Sequence, residues 1–165
     1  MKNLYIDFDG VILDTISNSY ELLEKANIPI VDSEEVRSFY ANMDWRVLLE
    51  KSLPINDSLE CIQKIIDSKR FDVSILTHVN SLQEVIEKVT YIRKFFKDIT
   101  VIPVPKAISK TKMVQTEGSV LIDDYDENLR EWLTEDGISI KFSQTLDSNE
   151  FLVLDRLDKV LEMDI

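Results

Sequence analysis

Five short apolar runs punctuate the chain, at residues 2–7, 71–77, 99–104, 119–122 and 138–142. Each is rich in Ile, Leu, Val or Phe. The stretches between them carry apolar residues at helical spacing. Strands alternating with helices build a parallel sheet, because each crossover carries a helix onto one face of it. The expected fold class is α/β, a Rossmann-like parallel sheet with helices on both faces. In such sheets ligands collect at the carboxyl ends of the strands. A chain of 165 residues suits one domain with a sizeable core.

The helical stretches fall into two groups. The first lies between the first two strands: a helix capped by Asp14 or Thr15 and running to Asn27, one from Ser33 to Ala41, and one from Asp44 to Lys51 that stops before Pro54. Residues 15–55 thus form a small helical cap inserted after the first strand, and residues 1–14 and 56–165 form the α/β core. The second group covers the sheet. A helix begins at Asn56 or Asp57. Another, capped by Asn80 or Ser81, runs to Phe96 with the stripe Leu82, Val85, Ile86, Val89, Ile92 and Phe96. Shorter helices are expected at 109–116, 126–134 and from Asp155 after a brief strand in the tail.

Three strand ends carry polar residues suited to chemistry. The first run continues Leu4-Tyr5-Ile6-Asp7-Phe8-Asp9-Gly10-Val11. Side chains alternate along an extended chain, so Asp7 and Asp9 point the same way, and Gly10 permits a sharp exit. Paired carboxylates at a strand end offer hard oxygen ligands to Mg²⁺. The second strand ends Leu76-Thr77-His78, where a hydroxyl and backbone N–H groups can donate to a phosphate. The fourth ends Ile122-Asp123-Asp124-Tyr125, a second pair of candidate metal ligands. Spacing alone leaves open which of Asp123 and Asp124 touches the metal.

These stretches, in this order, resemble the motifs of the haloacid dehalogenase (HAD) superfamily, whose members are mostly Mg²⁺-dependent phosphatases. The run from Leu121 to Trp132 is similar to the small branch of 5′(3′)-deoxyribonucleotidases, although Thr15 and Tyr125 stand where that branch carries an aromatic and an arginine. The resemblance implies phosphomonoester hydrolysis with Asp7 as nucleophile and Asp9 as general acid and base. It implies Mg²⁺ held by Asp7, the backbone carbonyl of Asp9, and Asp123 or Asp124. Thr77, His78 and a lysine would hold the phosphate. Lys106, Lys110 and Lys112 are the candidates, with Lys110 favoured because Ser109 precedes it as a helix cap. Because the motif retains Asp9, the chain looks like the phosphoryl-transfer branch rather than the dehalogenases. Within the cap, Phe39, Tyr40, Trp45 and Arg46 are candidates to touch a base or a second anionic group, and packing of the cap helices against one another accounts for the aromatics equally well.

Composition narrows the partners. A net charge of −12 argues against nucleic-acid polymers and anionic membranes, and means that a bound phosphate needs a local cation. The expected partner is a small phosphorylated substrate, and a second copy of the chain is a candidate to complete a pocket under so small a cap. Cys61 is the single cysteine, so no internal disulfide forms. No signal peptide or long apolar run is evident, and a cytoplasmic location is expected. The rival class is a noncatalytic domain on the same fold that binds phospho-ligands. A receiver domain is disfavoured by motif order, since here the D-x-D precedes the lysine and the D-D follows it.

Overall fold

The computed structural model describes all 165 residues. Six parallel strands form one sheet: β1 (Lys2–Ile6), β2 (Phe71–Val79), β3 (Thr100–Pro105), β4 (Val120–Asp123), β5 (Ile138–Phe142) and β6 (Leu152–Leu154). Their order is β3-β2-β1-β4-β5-β6, which places β1 inside the sheet with β2 and β4 as neighbours. The carboxyl ends of β1, β2 and β4 therefore meet.

The period-two alternation of the strands divides the core into two layers. Leu4 and Ile6 of β1, Val73 and Ile75 of β2, and Val120 and Ile122 of β4 face a cluster of 27 buried apolar residues. Tyr5, Leu76 and Leu121, the alternate positions, face a smaller cluster with Leu129 and Trp132 of α6 (Asp126–Thr134). Helix α4 (Ser58–Ser68) covers the larger face with Cys61, Ile62 and Ile65. The sheet is thus covered on both faces, as the alternation of runs requires.

Helices α1 (Thr15–Lys25), α2 (Glu34–Asn42) and α3 (Trp45–Lys51) form the insertion. Asp14 caps α1, Ser33 caps α2 and Asp44 caps α3, each through a side-chain oxygen that accepts from a first-turn N–H. The insertion leaves and rejoins the body through one crossing. Asp14 N–H donates to Leu53 O at 3.0 Å and Ile55 N–H donates to Ile12 O at 3.0 Å. Met43, Trp45, Leu48 and Leu49 belong to the larger core cluster, so the insertion packs onto the body and has no separate core.

Several elements differ from expectation. Strand β2 runs two residues past Thr77, because His78 and Val79 pair with Val104 and Pro105. Pro103 and Pro105 lie inside β3, where an edge strand tolerates a missing donor. Helix α5 (Leu82–Arg93) stops short of Phe96. The expected helix at 109–116 is a single 3-10 turn, Lys110–Lys112, and the tail forms a 3-10 turn, Leu157–Glu162. The largest correction concerns the face of α5. Leu82 and Ile86 of the expected stripe are exposed, and the buried positions are Glu84, Lys88 and Ile92. The start of α5 sits over charged groups at the sheet edge, and those groups outweigh the apolar pattern.

Candidate functional site

Asp7 is the first residue beyond β1, and its N–H donates to Ile122 O of β4 at 2.9 Å. That bond brings its carboxylate beside Asp123 and Asp124. Lys110 Nζ lies 2.7 Å from Asp7 Oδ1 and 2.7 Å from Asp123 Oδ2. Ser109 starts the turn that delivers Lys110: its Oγ accepts from Thr111 N–H and donates to Glu131 Oε2 at 2.6 Å. Lys112 instead pairs with Glu135 at the surface, and Lys106 lines the cavity that opens over Asp7, Asp9 and Asp124 without pairing with a carboxylate. Of the three candidate lysines, only Lys110 reaches the carboxylates.

The two adjacent aspartates have different surroundings. Asp123 is fully buried and accepts from Lys110, from Tyr125 N–H at 2.9 Å and from Asn128 Nδ2 at 3.0 Å. The Asp124 carboxylate accepts no hydrogen bond from the protein and faces the cavity, while its backbone carbonyl accepts from Lys141 Nζ at 2.5 Å. Asp123 is therefore the braced member of the pair and Asp124 the available one. One oxygen each from Asp7, Asp123 and Asp124 lie within 4.8 Å of one another. Burial, reinforced by the charge of Asp123, pushes Asp7 up to about 7. Burial, reinforced by the charges of Asp7 and Asp123, pushes Asp124 up to about 8. One ammonium thus leaves this set of carboxylates short of positive charge. Hard oxygen donors with uncompensated charge fit Mg²⁺.

Asp9 points elsewhere. Its Oδ1 accepts from Thr15 Oγ1 at 2.7 Å, and its Oδ2 lies 2.5 Å from Lys88 Nζ. Its carboxylate is thus apart from the acidic cluster, and its backbone carbonyl accepts no hydrogen bond. Lys88 also donates to Thr77 Oγ1 at 2.9 Å and His78 O at 3.1 Å, and stands 2.8 Å from Glu84 Oε1. Burial opposes the charge on Lys88, but Asp9 and Glu84 outweigh it and raise its pKa. Sequence reading missed Lys88 and Glu84. Their four-residue spacing was visible, but on an exposed face it marks a solvated ion pair.

A cavity of about 270 Å³ opens over Asp7, Asp9 and Asp124, walled by Thr15, Ile16, Ser19 and Tyr20 of α1, with Tyr40 and Trp45 of the insertion. His78 lines it, but Thr77 and Lys110 lie almost wholly buried beneath its surface. His78 Nε2 contacts Ile108 O at 2.8 Å, and a carbonyl can only accept, so that ring N–H is already used. Burial lowers the His78 pKa. Two of the cap candidates, Phe39 and Arg46, do not line this cavity either. Phe39 packs against the core, and Arg46 pairs with Glu50 on the outer side of α3.

No protein-family model matches the sequence, and neither does any curated protein. Solved structures do match in fold. A hydrolase from Pseudomonas syringae superposes with a TM-score of 0.67 at 12% identity, covering 99% of this chain and 98% of that one. An HAD phosphatase from Thermococcus onnurineus gives 0.66 at 15% identity, covering 98% and 97%. The magnesium-bound HAD-hydrolase YfnB from Bacillus subtilis gives 0.62 at 15% identity, covering 99% of both. The chain has the fold of HAD-superfamily hydrolases over its whole length.

Proposed function

We propose that this protein is a Mg²⁺-dependent phosphomonoester hydrolase that works through a phosphoryl group carried on Asp7. The observation that supports this most is the placement of Asp7. Its Oδ1 is fixed by Lys110, its Oδ2 receives no protein donor, and Asp124 and Asp9 share the cavity above it. A carboxylate held by one oxygen presents the other as a nucleophile. Asp7, Asp124 and the Asp9 carbonyl would hold the metal, with Asp123 bracing them. The bound ion would supply positive charge against repulsion between nucleophile and phosphate.

In the first step an Asp7 oxygen attacks phosphorus and the P–O bond to the alcohol breaks. Both Asp9 oxygens accept from Thr15 and Lys88 in the resting site, so Asp9 first takes up a proton and then gives it to the departing oxygen. In the second step Asp9 takes a proton from water as that water attacks phosphorus. The Asp7–phosphorus bond breaks, releasing orthophosphate and restoring both carboxyl groups. The Lys110 ammonium stays beneath Asp7 and offsets charge through both steps. His78 of β2 lines the phosphate side of the cavity, and Thr77 lies beneath it with its hydroxyl held by Lys88. The insertion 15–55 acts as the cap, with α1 as the wall nearest the reacting groups. Nucleoside monophosphates are one ester class in this reading, carried by the likeness of the Leu121–Trp132 run and not by any cavity residue.

Peptide mass mapping after brief incubation with a phosphomonoester and rapid acid quenching tests the reading. A phosphoryl group on the peptide containing Asp7 is expected. Turnover with no label on that peptide at any quench time contradicts it.

A further inference from the structure

Lys88 is a cation in a place where a cation is costly. It is 1% exposed and fixed in the middle of α5. Burying an ammonium is costly, and apolar residues of similar size often pack more favourably. Such a cost is expected where function requires the charge.

Its surroundings show what the charge holds. The three Nζ protons go to Asp9 Oδ2, Thr77 Oγ1 and His78 O, and the ammonium also stands 2.8 Å from Glu84 Oε1. Glu84 is itself fixed, since its Oε2 accepts from Asn80 N–H at 2.6 Å and its own N–H donates to Ser81 Oγ at 3.1 Å. The Phe8 ring stands 5.2 Å from Nζ and the Trp45 ring 4.9 Å. Both are within cation–π range. The ammonium therefore cannot move without breaking contacts to β2, to Phe8 and Asp9 just beyond β1, and to the insertion together. Among its partners Asp9, Glu84 and His78 line the cavity, and Asp9 is the one with a proton-transfer role in the reading above.

We propose that Lys88 is a positioning residue for Asp9. This rests on the phosphatase reading above. Thr15 and Lys88 hold the two Asp9 oxygens from different elements, α1 and α5, and so set the carboxylate's direction toward the departing oxygen. Losing Lys88 leaves Thr15 alone, and a carboxylate held at one oxygen can rotate. A misplaced general acid slows reactions that need a proton on the leaving group, and spares those that do not.

The test compares two esters by kcat/KM, which reports the steps up to cleavage of the P–O bond. One is an alkyl phosphate, whose alkoxide needs a proton. The other is p-nitrophenyl phosphate, whose leaving group does not. Lys88→Met is the first variant. The paired variant Lys88→Met with Glu84→Gln removes one charge of each sign and guards against loss of the fold. In either variant, kcat/KM for the alkyl ester should fall about 100-fold or more relative to the aryl ester. Equal losses on both esters, in a folded variant, assign Lys88 a structural role and overturn the proposal while the phosphatase reading stands. A wild-type protein inactive on both esters, folded and with Mg²⁺ present, overturns both.

Discussion

Gly10 leaves room for Asp124: a β-carbon at position 10 would overlap Asp124 Oδ2. The backbone at Gly10 also has φ +73°, a conformation that side chains resist. Gly10→Ala therefore pushes against the one aspartate of the pair that no donor holds. The strain itself costs about 1–2 kcal/mol, but the larger effect falls on the metal site. Mg²⁺ affinity, measured by titration calorimetry, should drop tenfold or more (about 1.4 kcal/mol). Unchanged affinity would mean that Asp124 does not hold the metal.

Lys110→Met removes the only ammonium facing Asp7 and Asp123. Breaking a buried ion pair by deleting one partner costs about 3–5 kcal/mol. Urea denaturation in EDTA should show a loss of that order. Added Mg²⁺ should recover part of it, because the ion supplies the missing positive charge. Turnover should fall by about 100-fold or more even at saturating Mg²⁺. Near-normal turnover would remove Lys110 from the site.

The pH dependence of metal binding follows from Asp7 and Asp124, pushed up to about 7 and about 8. A carboxyl raised above its unfolded value binds its proton more tightly when folded. Its contribution to stability is complete below about pH 4 and is lost as pH rises through the folded value. Metal binding must displace those protons, so Mg²⁺ stabilises most where they have already left. The rise in Tm caused by Mg²⁺ should be larger at about pH 8.5 than at about pH 6. Thermal scans with Mg²⁺ or EDTA at both pH values measure it, and an equal rise contradicts the assignment of these two ligands.

Arg70 fastens the tail: its guanidinium donates to Leu161 O at 2.6 Å and to Met163 O. Arg70→Ala leaves those carbonyls without a partner and should loosen the final 3-10 turn. A loss of about 1–3 kcal/mol is expected, with faster proteolysis near residues 157–163. The site is built from other elements, so kcat should stay within about twofold of the parent. A large fall in kcat would couple the tail to the catalytic edge.

The strands were legible because each is a compact apolar run, and the parallel order followed from the helices between them. Asp7, Asp9 and the Asp123–Asp124 pair were legible because each stands just beyond such a run, and the topology brings these ends together. Lys88 was not legible, since periodicity reads apolar residues and α5 buries Glu84 and Lys88 through mutual charge and the Asp9 contact. The roles of Asp123 and Asp124 were also closed to spacing. They depend on donors from Asn128, Tyr125 and Lys110, which only the folded chain assembles around Asp123. Arg46 shows the opposite error. Its place in the insertion suggested a substrate contact, but Glu50 one turn later holds it on the outer side of α3.

The most direct measurement is hydrolysis of a panel of phosphomonoesters, nucleoside monophosphates included, by the parent chain and by Asp7→Asn, each with Mg²⁺ and with EDTA. The account predicts turnover of at least one ester by the parent, abolished by EDTA and abolished in a folded Asp7→Asn variant. Turnover that survives Asp7→Asn, or no turnover of any ester by the folded parent with Mg²⁺ bound, contradicts it.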